Sequence, residues 1–128
     1  MTLERRVFAF EGQDYLWVRA HGGRHPLQTC RVAEGVAAGA CNFIDLTIVP
    51  PGAEVGRHTH AEDNEEIYVI ISGRGELELD GERFLVGSGD VLVNRPGGTH
   101  GLVNPGPEEL RMVVLEIPVV PRTVGATP

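Results

Sequence analysis

Lysine is absent: all 11 basic residues are arginines, scattered among 18 acidic ones in a chain of 128 residues with a formal net charge of −7. Binding along a nucleic-acid backbone needs clustered cationic side chains, so nucleic acid is excluded as a partner. Long apolar runs are missing too, and none approaches the roughly 20 residues a membrane-spanning helix requires. The opening Met-Thr-Leu-Glu-Arg-Arg does not lead into an apolar signal segment. The chain is accordingly read as a cytoplasmic protein. Cysteine is limited to Cys30 and Cys41, without the close Cys-x-x-Cys spacing of a redox or zinc knuckle. In a reducing compartment these two are expected as buried small apolar residues without a function. No stretch combines helix caps with a 3.6-residue period.

What the chain does hold is turns and short strands. Seventeen glycines and nine prolines punctuate it, and its length fits one domain able to bury a core without staples. Residues 2–10 and 15–19 read as one or two N-terminal strands. Ala20-His21-Gly22-Gly23-Arg24-His25-Pro26 reads as a loop whose His21, Arg24 and His25 either reach over a binding cavity toward an anionic group or sit in solvent, the latter preferred. Residues 28–32 form a strand and 34–40 a turn. Within the strand 42–49, Asn42, Ile44, Leu46 and Ile48 share one face, which as the more apolar should pack as core. Phe43, Asp45, Thr47 and Val49 share the other, leaving Asp45 and Thr47 to water or to a polar cavity. Residues 76–79 and 83–86 flank Asp80-Gly81, a strong two-residue hairpin signal. Residues 91–93 read as a short buried strand, Asp90 as a turn cap and 110–117 as the last long strand. Roughly ten strands with no room for crossover helices make an all-β, antiparallel barrel or sandwich.

The chemistry concentrates in residues 52–73. His58 and His60, two apart on a strand, point the same way with roughly 6.5 to 7 Å of rise between them, so both imidazoles can reach one ion. Glu66, Tyr68 and Ile70 share a face of the next strand, and the polar 61–65 is short enough for a hairpin loop that folds Glu66 toward the histidines. An isolated His-x-His is more often a polar-face pair than a metal site. Downstream, however, a strand from Gly89, a Pro96-Gly97-Gly98 turn and a further strand deliver a third histidine, His100.

These two stretches resemble the paired motifs of the cupin superfamily. Gly52 stands six before His58, Glu66 seven before Gly73, and His100 four before Asn104, all as in that pattern. The similarity covers about residues 43–117. Five residues separate His60 from Glu66, more than is usual; Glu65 would shorten the gap, but Glu66 keeps the distance to Gly73 and the face of Tyr68. The resemblance implies a double-stranded β-helix, or jelly-roll barrel, as a single domain over 1–128. Its barrel core would span 42–117 and its tail 118–128, with the strands and loop of 1–27 at a homodimer interface; an edge strand closing its own barrel is the alternative. It also implies that His58, His60, Glu66 and His100 ligate a divalent transition metal, and three imidazoles with one carboxylate suit Fe, Mn, Ni, Cu or Zn. Three functions stay open. One is a metal-dependent enzyme acting on a small oxygen-rich substrate of acid, sugar or polyketide type, as dioxygenase, isomerase, lyase or decarboxylase, or cyclase. The others are a non-catalytic module binding a small molecule or metal, and a metal that merely ties strands together. Tyr68 is the candidate proton-transferring or substrate-binding side chain, with a buried core aromatic as the alternative.

Overall fold

The structure is a computed structural model and describes residues 6–119. Among these, ten strands form two antiparallel sheets. The strands are β1 (Leu16–Val18), β2 (Leu27–Glu34), β3 (Phe43–Val49), β4 (Glu54–Thr59), β5 (Asn64–Ser72), β6 (Arg74–Leu79), β7 (Glu82–Gly87), β8 (Val91–Asn94), β9 (Thr99–Val103) and β10 (Leu110–Pro118). One sheet runs β1-β2-β3-β10-β5-β8 and the other β4-β9-β6-β7. Together they form the jelly-roll barrel. Among the described residues the only helical elements are single 3₁₀ turns at Ala20–Gly22 and Gly35–Ala38, and no helix there is long and apolar enough to cross a membrane.

Local sequence accounts for most of these elements. Asp80 and Gly81 both adopt positive φ, 48° and 86°, the geometry of a tight turn whose twist matches its strands. The strands it joins, β6 and β7, pair in register from Arg74–Gly87 to Leu79–Glu82. Asp90 caps its turn by accepting a hydrogen bond from the Gly87 amide at 2.7 Å. Leu27, Val49, Val55, Tyr68, Ile70, Leu77, Leu102, Leu110 and Met112 fill the space between the sheets, and each such aliphatic side chain contributes about 1.5–3 kcal/mol by leaving water. Gly75 lets the sheets close: a Cβ there would lie 2.7 Å from Leu102 Cδ1.

Several expectations are corrected. On β3 the expected burial of Leu46 and Ile48 holds, and Asp45 and Thr47 line a cavity, one of the two places expected for them. What differs is that Thr47 and Val49 of that second face are buried as well, paired with the core residues Met112 and Leu110 of β10. The N-terminal segment touches the strand partners of Leu46 and Ile48: Arg111 pairs with Glu11 at 2.8 Å, and Cys30 Sγ lies 3.8 Å from Gln13 Oε1. Asp45 lies half-buried at the edge of that cavity, where Arg31 from β2 meets it through two hydrogen bonds, 2.9 and 3.2 Å. Residues 6–10 form no strand, and residues 1–5 and 120–128 of the proposed N-terminal strand and tail lie outside the described residues. The N-terminal strand that does form, β1, is an edge strand on β2 of its own chain. Cys30 and Cys41 are half-buried free thiols rather than core residues. Strand β8 is exposed on one side, through Val91 and Val93.

The segment between β4 and β5 is not a hairpin. Strand β4 pairs with β9, whereas β5 pairs with β10 and β8, so residues 60–63 cross from one sheet to the other. Residues 95–98 likewise cross between β8 and β9. Glu66 therefore faces the histidines across the barrel rather than beside them.

Candidate metal centre

Strict alternation along β4 from the inward Val55 would turn His58 away from the lumen. A bulge corrects this: Val55 pairs with Leu102 and His58 with His100, so Gly56 and Arg57 together oppose Gly101. The extra residue flips the face, and His58, His60 and His100 all point inward. Gly56 has room for no side chain, since a Cβ would lie 2.2 Å from the His21 carbonyl oxygen.

The four side chains converge. His58, His60, Glu66 and His100 each bring one ligand atom to within 4.8 Å of the others, a group that can hold a metal ion. His58 Nε2 lies 3.0 Å from both His60 Nε2 and His100 Nε2. Glu66 Oε1 lies 3.1 Å from His60 Nε2 and 3.6 Å from His100 Nε2. Glu65 pairs with Ile117 in the opposite orientation and is not part of the cluster.

The partners of the other ring nitrogens decide what this convergence means. His58 Nδ1 is 2.7 Å from the Gly56 carbonyl, which can only accept, so Nδ1 carries the proton. His60 Nδ1 is 3.1 Å from Asn64 Oδ1, whose own amide donates to Asp63, so here too Nδ1 donates. With Nδ1 committed on both rings, the two Nε2 atoms face each other across 3.0 Å, and His60 Nε2 also lies 3.1 Å from Glu66 Oε1. Nitrogens so placed suit a shared cation, and pinning the distal nitrogen is how metal-binding histidines are oriented. The residues fit a metal.

Electrostatics agree. Burial, reinforced by the neighbouring histidines, pushes the His100 imidazole down to about 3. Burial lowers His58 as well, partly offset by its hydrogen bond to Gly56. Burial raises Glu66, against the pull of His60. Burial thus works against protonated His58 and His100 and against ionised Glu66, a conflict that one central cation resolves. Beside Glu66, its strand partner Asn94 is buried, and its amide finds no hydrogen-bond partner among the described residues.

Tyr68, one step inward from Glu66, is buried and donates its hydroxyl to the Glu66 carboxylate. Its pKa stands well above 10 through burial and that neighbour. Its ring lies 5.2 Å from that of His100. The hydroxyl therefore stays protonated at neutral pH.

One participant is exposed, as expected, yet also reaches the site, the other of its two readings. His21 stacks face to face on His58, with centroids 3.4 Å apart and planes 7° from parallel. It holds φ of +51°, unusual for a residue with a side chain, and its turn is wedged against Gly56. Arg24 and His25 stay exposed as expected; Arg24 only donates its backbone amide to Glu54 at 3.0 Å. The signal for His21 lay in Gly56 and Gly23, whose lack of side chains permits the close approach, but a single sequence does not pair them.

A chamber of about 190 Å³ is lined by His21, Glu66 and Tyr68 together with Arg31, Phe43 and Asp45; of the four clustered side chains it is Glu66 that borders it.

A sequence model described as the cupin domain matches residues 45–116. The chain is 34 % identical over 104 residues to the polyketide synthase CurC of Streptomyces cyaneus, covering 81 % of this chain and 65 % of that protein. It is 35 % identical over 69 residues to an oxalate-binding protein of Thermotoga maritima, covering 54 % of this chain and 56 % of the relative. It thus spans 56 to 65 % of the length of the curated relatives it matches. Its fold superposes on the crystal structure of a predicted oxalate decarboxylase from Thermotoga maritima with a TM-score of 0.83 and 23 % identity, covering 89 % and 100 % of the two chains. For KdgF from a Halomonas species the TM-score is 0.69 with 25 % identity, covering 91 % and 96 %.

Proposed function

The chain belongs to the cupin family, and on that footing we propose that it is a metal-dependent enzyme acting on a small oxygen-rich molecule, with His58, His60, Glu66 and His100 holding a divalent Fe, Mn, Ni, Zn or Cu ion. One observation carries the reading. Two imidazoles whose Nδ1 protons are already committed aim their remaining lone pairs at one point, beside a carboxylate and a third imidazole. Such a donor set suits a transition metal, and four protein ligands leave open positions on a six-coordinate ion. When bound, the metal supplies Lewis-acid polarisation of a substrate oxygen.

The chain's own residues supply the rest. The buried Tyr68 holds a proton on its phenolic oxygen beside Glu66, in place to donate to a substrate oxygen or keep it oriented. Leu27, Met112 and Val114 give the chamber an apolar part to its wall. Two relatives, named as a polyketide synthase and an oxalate-binding protein, favour an oxygen-rich substrate. The second of these names also supports an alternative, a module that binds a small acid without turning it over.

Two further assignments belong with this reading. Leu16 and Trp17 are exposed on the edge strand β1, which favours a homodimer closing over that edge. Free Cys30 and Cys41 fit a cytoplasmic setting.

Tyr68→Phe separates enzyme from binding module. In a screen of small acids, sugars and polyketide-type compounds, an enzyme loses turnover in this variant by about 10²-fold or more while metal content and melting temperature hold. Wild-type protein with one metal per chain that binds but converts none of these compounds sinks the enzymatic reading.

A further inference from the structure

The chamber carries information about what enters it. Its far wall is an ion pair inside the barrel mouth: Arg31 meets Asp45 through Nε and Nη2, leaving Nη1 free of that pair. The guanidinium lies 3.9 Å from the centroid of the Phe43 ring, a stack that holds the planar group in a fixed pose. Its side chain is 47 % exposed and that of Asp45 13 %, so the pair faces the opening rather than the core. The rest of the lining is mainly apolar, with Leu27, Val55, Met112 and Val114, and its two hydroxyls, Thr29 and Thr47, lie 3.4 Å from each other.

Charge and size narrow the occupant. The Arg31–Asp45 pair cancels internally. Glu66 is the only carboxylate of the metal-binding group, so a divalent ion held there leaves that group with a single positive charge, and Glu116, the cross-strand partner of Glu66, adds negative charge beside it that further disfavours a dianion. At about 190 Å³ the chamber falls below the roughly 300 Å³ of the smaller drug-sized sites, room for one ring or a short branched chain.

From these features we infer that the chamber binds a singly charged organic anion with an apolar body of about one ring, its anionic oxygen toward the histidine cluster and a second polar group on Arg31. This rests on the metal-dependent reading of the same site. A dianion lacking an apolar body, such as oxalate, overshoots the local charge and leaves the apolar walls uncovered. Arg31 is then a specificity-determining residue, and Asp45 tempers its charge.

The test is calorimetric titration of nickel-loaded protein, checked for one metal per chain, with 2,4-dihydroxybenzoate and with oxalate. The aromatic monoanion should bind at least tenfold more tightly. Arg31→Met should weaken it about tenfold, by removing a donor and leaving Asp45 as an unpaired negative charge. Asp45→Asn, close to isosteric, should strengthen it several-fold by freeing Arg31. These opposite signs separate recognition from a merely structural pair, which would respond to both changes in the same direction. Oxalate binding as tightly as the aromatic, no binding of either probe, or equal affinities in the wild type and both variants overturns the inference while the metal reading stands. Failure to load nickel overturns both.

Discussion

Remove the metal, and the four converging side chains should make the protein acid-sensitive in a way that one residue reports. His100 has an ordinary pKa of 6.5 when unfolded and about 3 when folded, lowered first by burial and then by His58, His60 and His21. With the folded value depressed, the unfolded chain binds the extra proton between these limits. Stability is therefore complete above about pH 6.5 and is lost progressively as pH falls toward 3. One proton gives a slope of about 1.4 kcal/mol per pH unit, and integration between about pH 6 and 4 gives about 2.5 kcal/mol. Glu66 runs the other way: its raised pKa supplies stability that is present below its ordinary 4.5 and lost as pH rises through the elevated value. Since Glu66 is common to wild type and a His100→Gln variant, the difference between the two isolates the histidine. The assay is urea denaturation of chelator-treated protein at several pH values across this range. The wild type should lose about 2.5 kcal/mol more than His100→Gln on going from pH 6 to 4. Parallel stability curves would refute the claim that His100 is held neutral by its surroundings.

Further predictions concern the turn that carries His21. His21→Ala should speed the loss of bound metal to excess EDTA, because His58 loses the ring that fixes its plane, whereas His21→Phe should restore a rate near that of wild type. Equal rates in all three proteins would remove any role for the stack. Gly56→Ala would place a Cβ 2.2 Å from the His21 carbonyl and should cost about 1–3 kcal/mol in chemical denaturation; an unchanged midpoint would show that the turn is not wedged there.

Much of this was legible along the chain because the relevant physics is local. Turn chemistry at Asp80-Gly81 and Asp90, and the shared face of Glu66 and Tyr68, follow from neighbours a few residues apart and reappear in the structure. What stayed hidden depends on distant partners. Whether the Asp45 face of β3 meets water or a cavity was left open along the chain, because the answer depends on Arg31, fourteen positions away on another strand. Apolar alternation also cannot distinguish the barrel interior from an outer face covered by the N-terminal segment. The 61–65 segment was read as a hairpin because its length allowed one, whereas the strands it joins pair elsewhere. His21 reaches the site through a contact with Gly56, thirty-five positions away, and the bulge that turns His58 inward exists only in the pairing with β9.

The central claim is that three histidines and Glu66 share one ion. Elemental analysis of the purified protein and of its His60→Ala variant tests it most directly. The account predicts close to one transition-metal ion per chain in the wild type and almost none in the variant. A wild type devoid of metal after growth and dialysis with Fe, Mn, Ni, Zn and Cu supplied, or a His60→Ala protein carrying as much metal as its parent, would contradict it.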